Sequence, residues 1–318
     1  MSELERGLSA VINDCLAVRE AEEVLVVANP ATIGLGERLR GEAGKVGAEA
    51  VMALMRELET HGSEPPDTVA AAMAAADVAL VPTVQSMSHT EARRNANQAG
   101  TRVATLPGVT EEMLGRVMSA EVGEVRRRSR EVAERLTAGA EALVTCPNGS
   151  ELRVGLGDRA AIADDGDLTA PGAFGNLPCG EGFIAPIEGE TSGRLVVDGT
   201  IAGRGIPPEL VELTVQDGHL VGAAGGASEG ERLLDHLRSA GEGGTNVAEL
   251  GIGTNEKATL TGELLEDEKI LGTCHVAFGA SAGIGGTVQV PVHIDCVVMK
   301  PDVSIDGEPL VSAGELLL

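Results

Sequence analysis

From Glu22 to Pro107 the chain repeats one pattern, a short apolar run of strand length followed by a stretch of helical character. The apolar runs are "EEVLVVANP", "AEAVMALM", "DVALVPT" and "TRVATLP", and between them stand "GERLRGEAGKVG", "DTVAAAMAAA" and "HTEARRNANQAG". A strand that is apolar at every position must be covered on both faces, and helices between successive strands supply that cover. The pattern predicts a doubly wound α/β domain with a mostly parallel sheet, entered through an amphipathic helix over residues 1–17. It contains no GxGxxG or Walker sequence, so nucleotide binding is not expected.

The helical stretch "EVGEVRRRSREVAERLTAG" then leads into a different vocabulary. From residue 139 onward the text is "ALVTCPNGSELRVGLG", "GRLVVDGTIAG" and "ELTVQDGHLVGA", in which Asn-Gly and Asp-Gly pairs between apolar runs read as hairpin turns. One helical stretch, "GERLLDHLRSAG", interrupts the strands. The expected organisation is therefore two domains, α/β over 1–138 and a mostly antiparallel α+β domain over 139–318.

Composition removes several function classes. A net charge of −25 opposes a nucleic-acid partner, because phosphates must be met by clustered Lys and Arg. The one basic cluster, Arg126 to Arg130, is interleaved with glutamates and reads as a solvated helix face. No apolar run is long enough for a bilayer, and "MSELERGLSAVINDC" lacks the form of a signal peptide, so a cytoplasmic protein without a membrane partner is expected. Five scattered cysteines with no CxxC spacing argue against a disulfide framework or a zinc knuckle. With no Trp or Tyr and three Phe, aromatic stacking is a minor resource, and no tyrosine is available for catalysis.

Four segments of the second half place polar residues where the pattern predicts burial. In "VPVHIDCVV" alternation puts His293 and Asp295 on one strand face, with Ile294 and Cys296 on the other. "ILGTCHVAFG" sets His275 among apolar neighbours, "NVAELGIGTNE" holds Glu249 in an apolar run, and "GNLPCGEGFIAP" places Glu181 between glycines in a Pro-bounded segment. Taken singly, each has a plain structural explanation: a satisfied core histidine, or a surface-loop carboxylate at Glu181. Together, two glutamates, two histidines and an aspartate make a ligand set suited to Zn, Fe, Mn or Co. Five ligands exceed the need of one tetrahedral zinc. They suit two ions sharing a carboxylate, or one iron with carboxylates beside it.

"GNLPCGEGFIAP", "ELGIGTNE", "EDEKILGTCHVAFG" and "HIDCVV", in this order, resemble the M29 metallo-aminopeptidases, the aminopeptidase T or thermophilic leucyl aminopeptidase group. The resemblance implies an α/β N-terminal domain, a metal-binding C-terminal domain, a homodimer, and removal of N-terminal residues from peptides by two divalent ions, Zn, Co or Mn. It implies Glu181, Glu249 and His275 on one ion and Glu249, His293 and Asp295 on the other, with a bridging water activated between them. A carboxylate shuttles the proton in that chemistry, and Glu181 and Glu256 are the candidates. Lys269 of "EDEK" is either a donor to a developing oxyanion or a partner in a local salt bridge.

The chain also departs from the larger peptidases, which carry an active-site tyrosine after the first histidine motif. The segment between His275 and His293 is short and glycine-rich, and "SMSHTEARRNANQAGTRVATLPGVTEEM" resembles shorter relatives, among them 2,5-dihydroxypyridine 5,6-dioxygenase. In that alternative His275, His293 and Asp295 form the two-histidine, one-carboxylate set of a mononuclear Fe(II) ring-cleaving dioxygenase acting on a dihydroxypyridine-like aromatic. His89 then becomes a candidate acid or base, against its plainer place beside a helix N-cap at Ser88 or Thr90. The expected function is a metal-dependent aminopeptidase, with the dioxygenase as the alternative and a structural ion in a small-molecule binding protein as the third possibility.

Overall fold

The four apolar runs of the first half become strands β1 (Glu23–Ala28), β2 (Glu49–Leu54), β3 (Val78–Val81) and β4 (Arg102–Thr105) in the computed structural model, which describes residues 1–318. They pair in parallel in the order β2-β1-β3-β4. Every side chain of β3 and β4 is buried, as continuous apolar strands require. Helices α2 (Ile33–Lys45), α3 (Asp67–Ala75) and α4 (Glu91–Ala99) form the crossovers.

Cap chemistry sets several boundaries. α1 (Glu3–Ser9) opens on a capping box between Ser2 and Glu5 and runs on as a π-helical turn over Ala10–Cys15. At α4 the Thr90 hydroxyl accepts from the Arg93 amide, and Gly100, at φ 105°, ends the helix in the left-handed region. Of the two proposed caps Thr90 is therefore the one used. α5 (Glu111–Val117) and α6 (Val122–Ala138) follow.

The chain divides into two compact units, Met1–Arg126 with Gly166–Cys179, and Arg127–Asp165 with Gly180–Leu318. A single boundary at 138 does not describe this division, because the return segment adds a fifth parallel strand, β8 (Phe174–Asn176), beside β4. Three residues carry no periodic signal, so this strand had no mark in the sequence.

The second unit holds two sheets, both antiparallel. The larger has eight strands: β5 (Glu141–Cys146), β6 (Ser150–Gly155), β10 (Thr191–Val197), β11 (Val211–Gln216), β12 (His219–Gly225), β16 (Asp302–Ile305), β17 (Glu308–Ser312) and β18 (Glu315–Leu316). Asn148-Gly149, Asp217-Gly218 and Asp306-Gly307 turn its hairpins. Asp198-Gly199, read as another such turn, does not close a hairpin: Gly199 donates to Val297 O and Asp198 accepts from the Met299 amide. These bonds tie the end of β10 to the other sheet.

That other sheet runs β15-β14-β13-β9-β7, with β7 (Ile162–Asp164), β9 (Glu181–Ile184), β13 (Val247–Gly253), β14 (Cys274–Gly279) and β15 (His293–Val298). Helix α7 (Glu229–Ser239) and the single turn α8 (Leu264–Asp267) complete the unit. Leu152, Leu195 and Leu213 of the large sheet share one core with Leu250, Ile252, Val276, Phe278, Cys274 and Cys296. Cys296 thus lies on the core face, as alternation predicted, and Cys274 lies there with it. No helix is long and apolar enough to cross a membrane.

Candidate metal centre

Strand register assembles the site. Gly251 faces His275, Ala277 faces Asp295 and Gly279 faces His293 across the paired strands β13, β14 and β15. Gly253 faces Glu181 on the other side of β13. Directly opposed residues share a face. Glu181, His275, His293 and Asp295 therefore stand on one face of the sheet, and Glu249, two residues before Gly251 and opposite Ala277, stands on that same face; the strand becomes irregular only beyond it, between Val247 and Glu249.

His275 Nε2 lies 3.1 Å from Glu181 Oε2 and 3.3 Å from Glu249 Oε1. His293 Nε2 lies 3.4 Å from Glu249 Oε2 and 3.5 Å from Asp295 Oδ1. The donor atoms form two groups, Glu181–Glu249–His275 and Glu249–His293–Asp295, each with its atoms within 4.8 Å of one another. All five residues expected from the sequence are thus gathered, and Glu249 is common to both groups. Glu181 opens strand β9 and is buried, rather than standing in an exposed loop.

Three carboxylates buried this close repel one another, and burial without a compensating cation is costly. The two imidazoles answer that charge. Burial alone would depress His275, but the Glu181 and Glu249 carboxylates outweigh it and hold the ring well above the usual histidine range. Burial likewise acts against His293, and Asp295 with Glu249 raises it well above that range. Glu181, raised by burial, is brought down to about 2 by Lys269 and His275. The cluster demands positive charge at the point where its lone pairs converge.

Two details orient the ligands. His293 Nδ1 is 2.7 Å from the Ala280 carbonyl, a bond in which the ring nitrogen donates and Nε2 is left facing the site. Gly251 makes room for the other ring, since a Cβ there would fall 2.0 Å from His275 Nε2. Sequence reasoning missed Gly251, although an isolated glycine within a strand is a signal of close approach. It also missed Asp164, which meets Glu181 through the buried ammonium of Lys269, while the local partner offered within "EDEK" is Glu268.

Neither of the other two candidates belongs to a donor group. Glu256 pairs with Arg128. His89 belongs to the first unit, in the turn before α4, where its carbonyl accepts from Arg94 Nη1.

Over residues 17–318 the chain matches the model of the family described as 2,5-dihydroxypyridine 5,6-dioxygenase. It is 27% identical over 263 residues to the 2,5-dihydroxypyridine 5,6-dioxygenase of Pseudomonas putida KT2440, covering 77% of this chain and 72% of that protein. The solved structure of the 2,5-dihydroxypyridine dioxygenase from Pseudomonas putida KT2440 superposes with a TM-score of 0.84 at 20% identity, covering 100% of this chain and 98% of that one. Wild-type AmpT from Thermus thermophilus gives 0.70 at 20% identity, covering 99% of each chain, and this likeness supports the expected M29 relationship at the level of fold. The family match overturns the expected function: the assignment as an aminopeptidase, hydrolase and metalloprotease gives way to its stated alternative. One fold can host more than one chemistry, so resemblance in ligand types did not separate them. Matched across nearly its whole length, the chain belongs to the 2,5-dihydroxypyridine 5,6-dioxygenase family.

Proposed function

We propose that this protein is an Fe(II)-dependent ring-cleaving dioxygenase acting on a dihydroxypyridine-like aromatic. The family match over residues 17–318 is the observation that carries this reading. The donor set supports it on its own chemistry. Imidazoles and carboxylates suit a first-row divalent ion, and no thiolate competes, because Cys274 and Cys296 point into the core. Glu181 Oε2, buried and without a hydrogen bond, is the kind of lone pair that an ion would satisfy.

His275, His293 and Asp295 are proposed as the two-histidine, one-carboxylate ligands, with Glu249 between the imidazoles and Glu181 beside them. A bound Fe(II) would supply the one-electron chemistry by which dioxygen reacts with a ring. The protein supplies orientation and access. The His293–Ala280 bond fixes which nitrogen is offered, and the paired strands hold the spacing of the ligands. The His293 side chain is 32% exposed, against 9% or less for Glu181, Glu249, His275 and Asp295, so an aromatic would reach the cluster from the His293 side. His89 keeps the role expected from the resemblance, an acid or base for a ring hydroxyl, tested by the activity of His89→Gln.

Two donor groups sharing Glu249 make the ion count a separate question. Metal-free protein should be loaded anaerobically with Fe(II) past one equivalent, then given oxygen and 2,5-dihydroxypyridine. The expected outcome is oxygen uptake with ring opening, saturating at one ion per chain, and no hydrolysis of aminoacyl-p-nitroanilides. Loaded protein that consumes no oxygen with any dihydroxypyridine would sink the proposal.

A further inference from the structure

Lys269 is fully buried, yet its ammonium sits among carboxylates rather than in solvent. Nζ donates to Glu181 Oε1 at 2.8 Å and to Glu268 Oε1 at 2.6 Å, and lies 3.5 Å from Asp164 Oδ2. Of the two oxygens of Glu181, one is taken by the lysine. The other, Oε2, receives no hydrogen bond and stands 3.1 Å from His275 Nε2. The lysine thus splits the carboxylate into a held oxygen and an offered one.

The surrounding loop fixes the lysine from both ends. Immediately before it, Asp267 accepts from the Thr261 and Gly262 amides and from the Thr200 hydroxyl, while Glu266 accepts from the Thr259 amide and hydroxyl. The Lys269 carbonyl accepts from the Asn255 amide. Next to it the backbone passes so close to β13 that a Cβ at Gly253 would fall 2.1 Å from Ile270 O. The ammonium thus reaches Glu181 from a backbone that is itself held against the site sheet.

We infer that Lys269 is a positioning residue of the metal centre: by holding Glu181 Oε1 it fixes the carboxylate so that Oε2 alone faces the ion. The inference rests on the proposed metal reading, and concerns how the carboxylate beside the three proposed ligands is aimed rather than which reaction follows. Outer partners of this kind commonly change metal affinity about 10–100-fold when removed.

The test uses full-length, metal-free protein and Mn(II) titrated by calorimetry, a readout independent of turnover. Lys269→Ala, shown to be folded by circular dichroism, should bind Mn(II) about 10-fold or more weakly than the parent. Propylammonium, which returns the charge to the vacated space, should restore much of that affinity, and 1-propanol should not. In the Fe(II) assay kcat should fall more than KM. Parent protein that fails to bind Mn(II) would defeat the metal reading itself. With the parent binding normally, a folded Lys269→Ala within twofold of it, or equal rescue by propanol, would overturn the positioning role alone. Should Lys269→Ala not fold, Lys269→Met fills the same space without the charge and carries the same comparison. If neither folds, the lysine is a structural counter-charge and the inference falls.

Discussion

The two sheets of the second unit share one core and treat their other faces in opposite ways. In the eight-stranded sheet, β11 alternates strictly between buried and exposed side chains, with Glu212, Thr214 and Gln216 in solvent. In the five-stranded sheet, β13 and β14 are buried at every position, and their second face carries Glu249 and His275 instead of apolar residues. The first arrangement stores stability, since apolar area leaves water on one side and polar groups keep their hydration on the other. The second concentrates charge in a sealed place, which costs stability unless a cation arrives. Substitutions should therefore separate cleanly, those on the site face changing metal binding and those on the shared core changing folding.

The largest effect is expected at Glu249, which contacts both imidazoles. Glu249→Ala should lower oxygen uptake by more than about 100-fold, beyond what loss of an outer partner causes. Its metal-free form should melt close to the metal-free parent, because no apolar packing is removed. A large fall in that melting temperature would mean that the site face is structural, and would break the contrast between the sheets. Gly251→Ala comes next. The added methyl lies where the His275 ring now sits, so either ring or strand must move. Mn(II) affinity should drop about 10–100-fold, with a stability cost of about 1–3 kcal/mol from overpacking; unchanged affinity by calorimetry would show that the ring has room to move.

What was legible in the sequence follows the same division. His275, Glu249, His293 and Asp295 were visible because each interrupts an apolar run, and alternation assigned His293 and Cys296 to opposite faces. The parallel sheet was visible through its continuous apolar strands. β8 was not, since "FGN" is paired only after the chain returns from the second unit. Lys269 could not be weighed either. "EDEK" offers a local partner for its charge, and that pair with Glu268 does form. The contact that matters for the site, with Glu181, spans 88 positions and depends on register that no local pattern encodes. The choice of chemistry was the least legible of all, because hydrolysis and oxygen activation draw on the same ligand types.

Core substitutions in the large sheet supply the other arm. Leu213→Ala on β11 removes a fully buried side chain and should cost about 2–5 kcal/mol in urea unfolding. Mn(II) affinity of the folded fraction should stay within twofold of the parent. A parallel loss of affinity would show that the shared core transmits strain to the ligands, and the two sheets would then be one functional body.

The smallest effect belongs to the exposed face of the same strand. Arg194 and Glu212 pair at 2.6 Å across β10 and β11, with 47% and 53% of their side chains in solvent. Water screens such a pair and holding two long side chains together loses entropy, so Glu212→Gln should change stability by less than about 1 kcal/mol. The difference should fade in 1 M salt, where the screening length contracts to about 3 Å. Lys269–Glu181 is an ion pair of similar length, 2.8 Å, closed to solvent, and Lys269→Met should keep its effect on Mn(II) affinity at the same salt concentration. If both effects vanished together, the buried pair would be screened like the surface one, and the sealing of the site face would no longer explain why its charges behave differently.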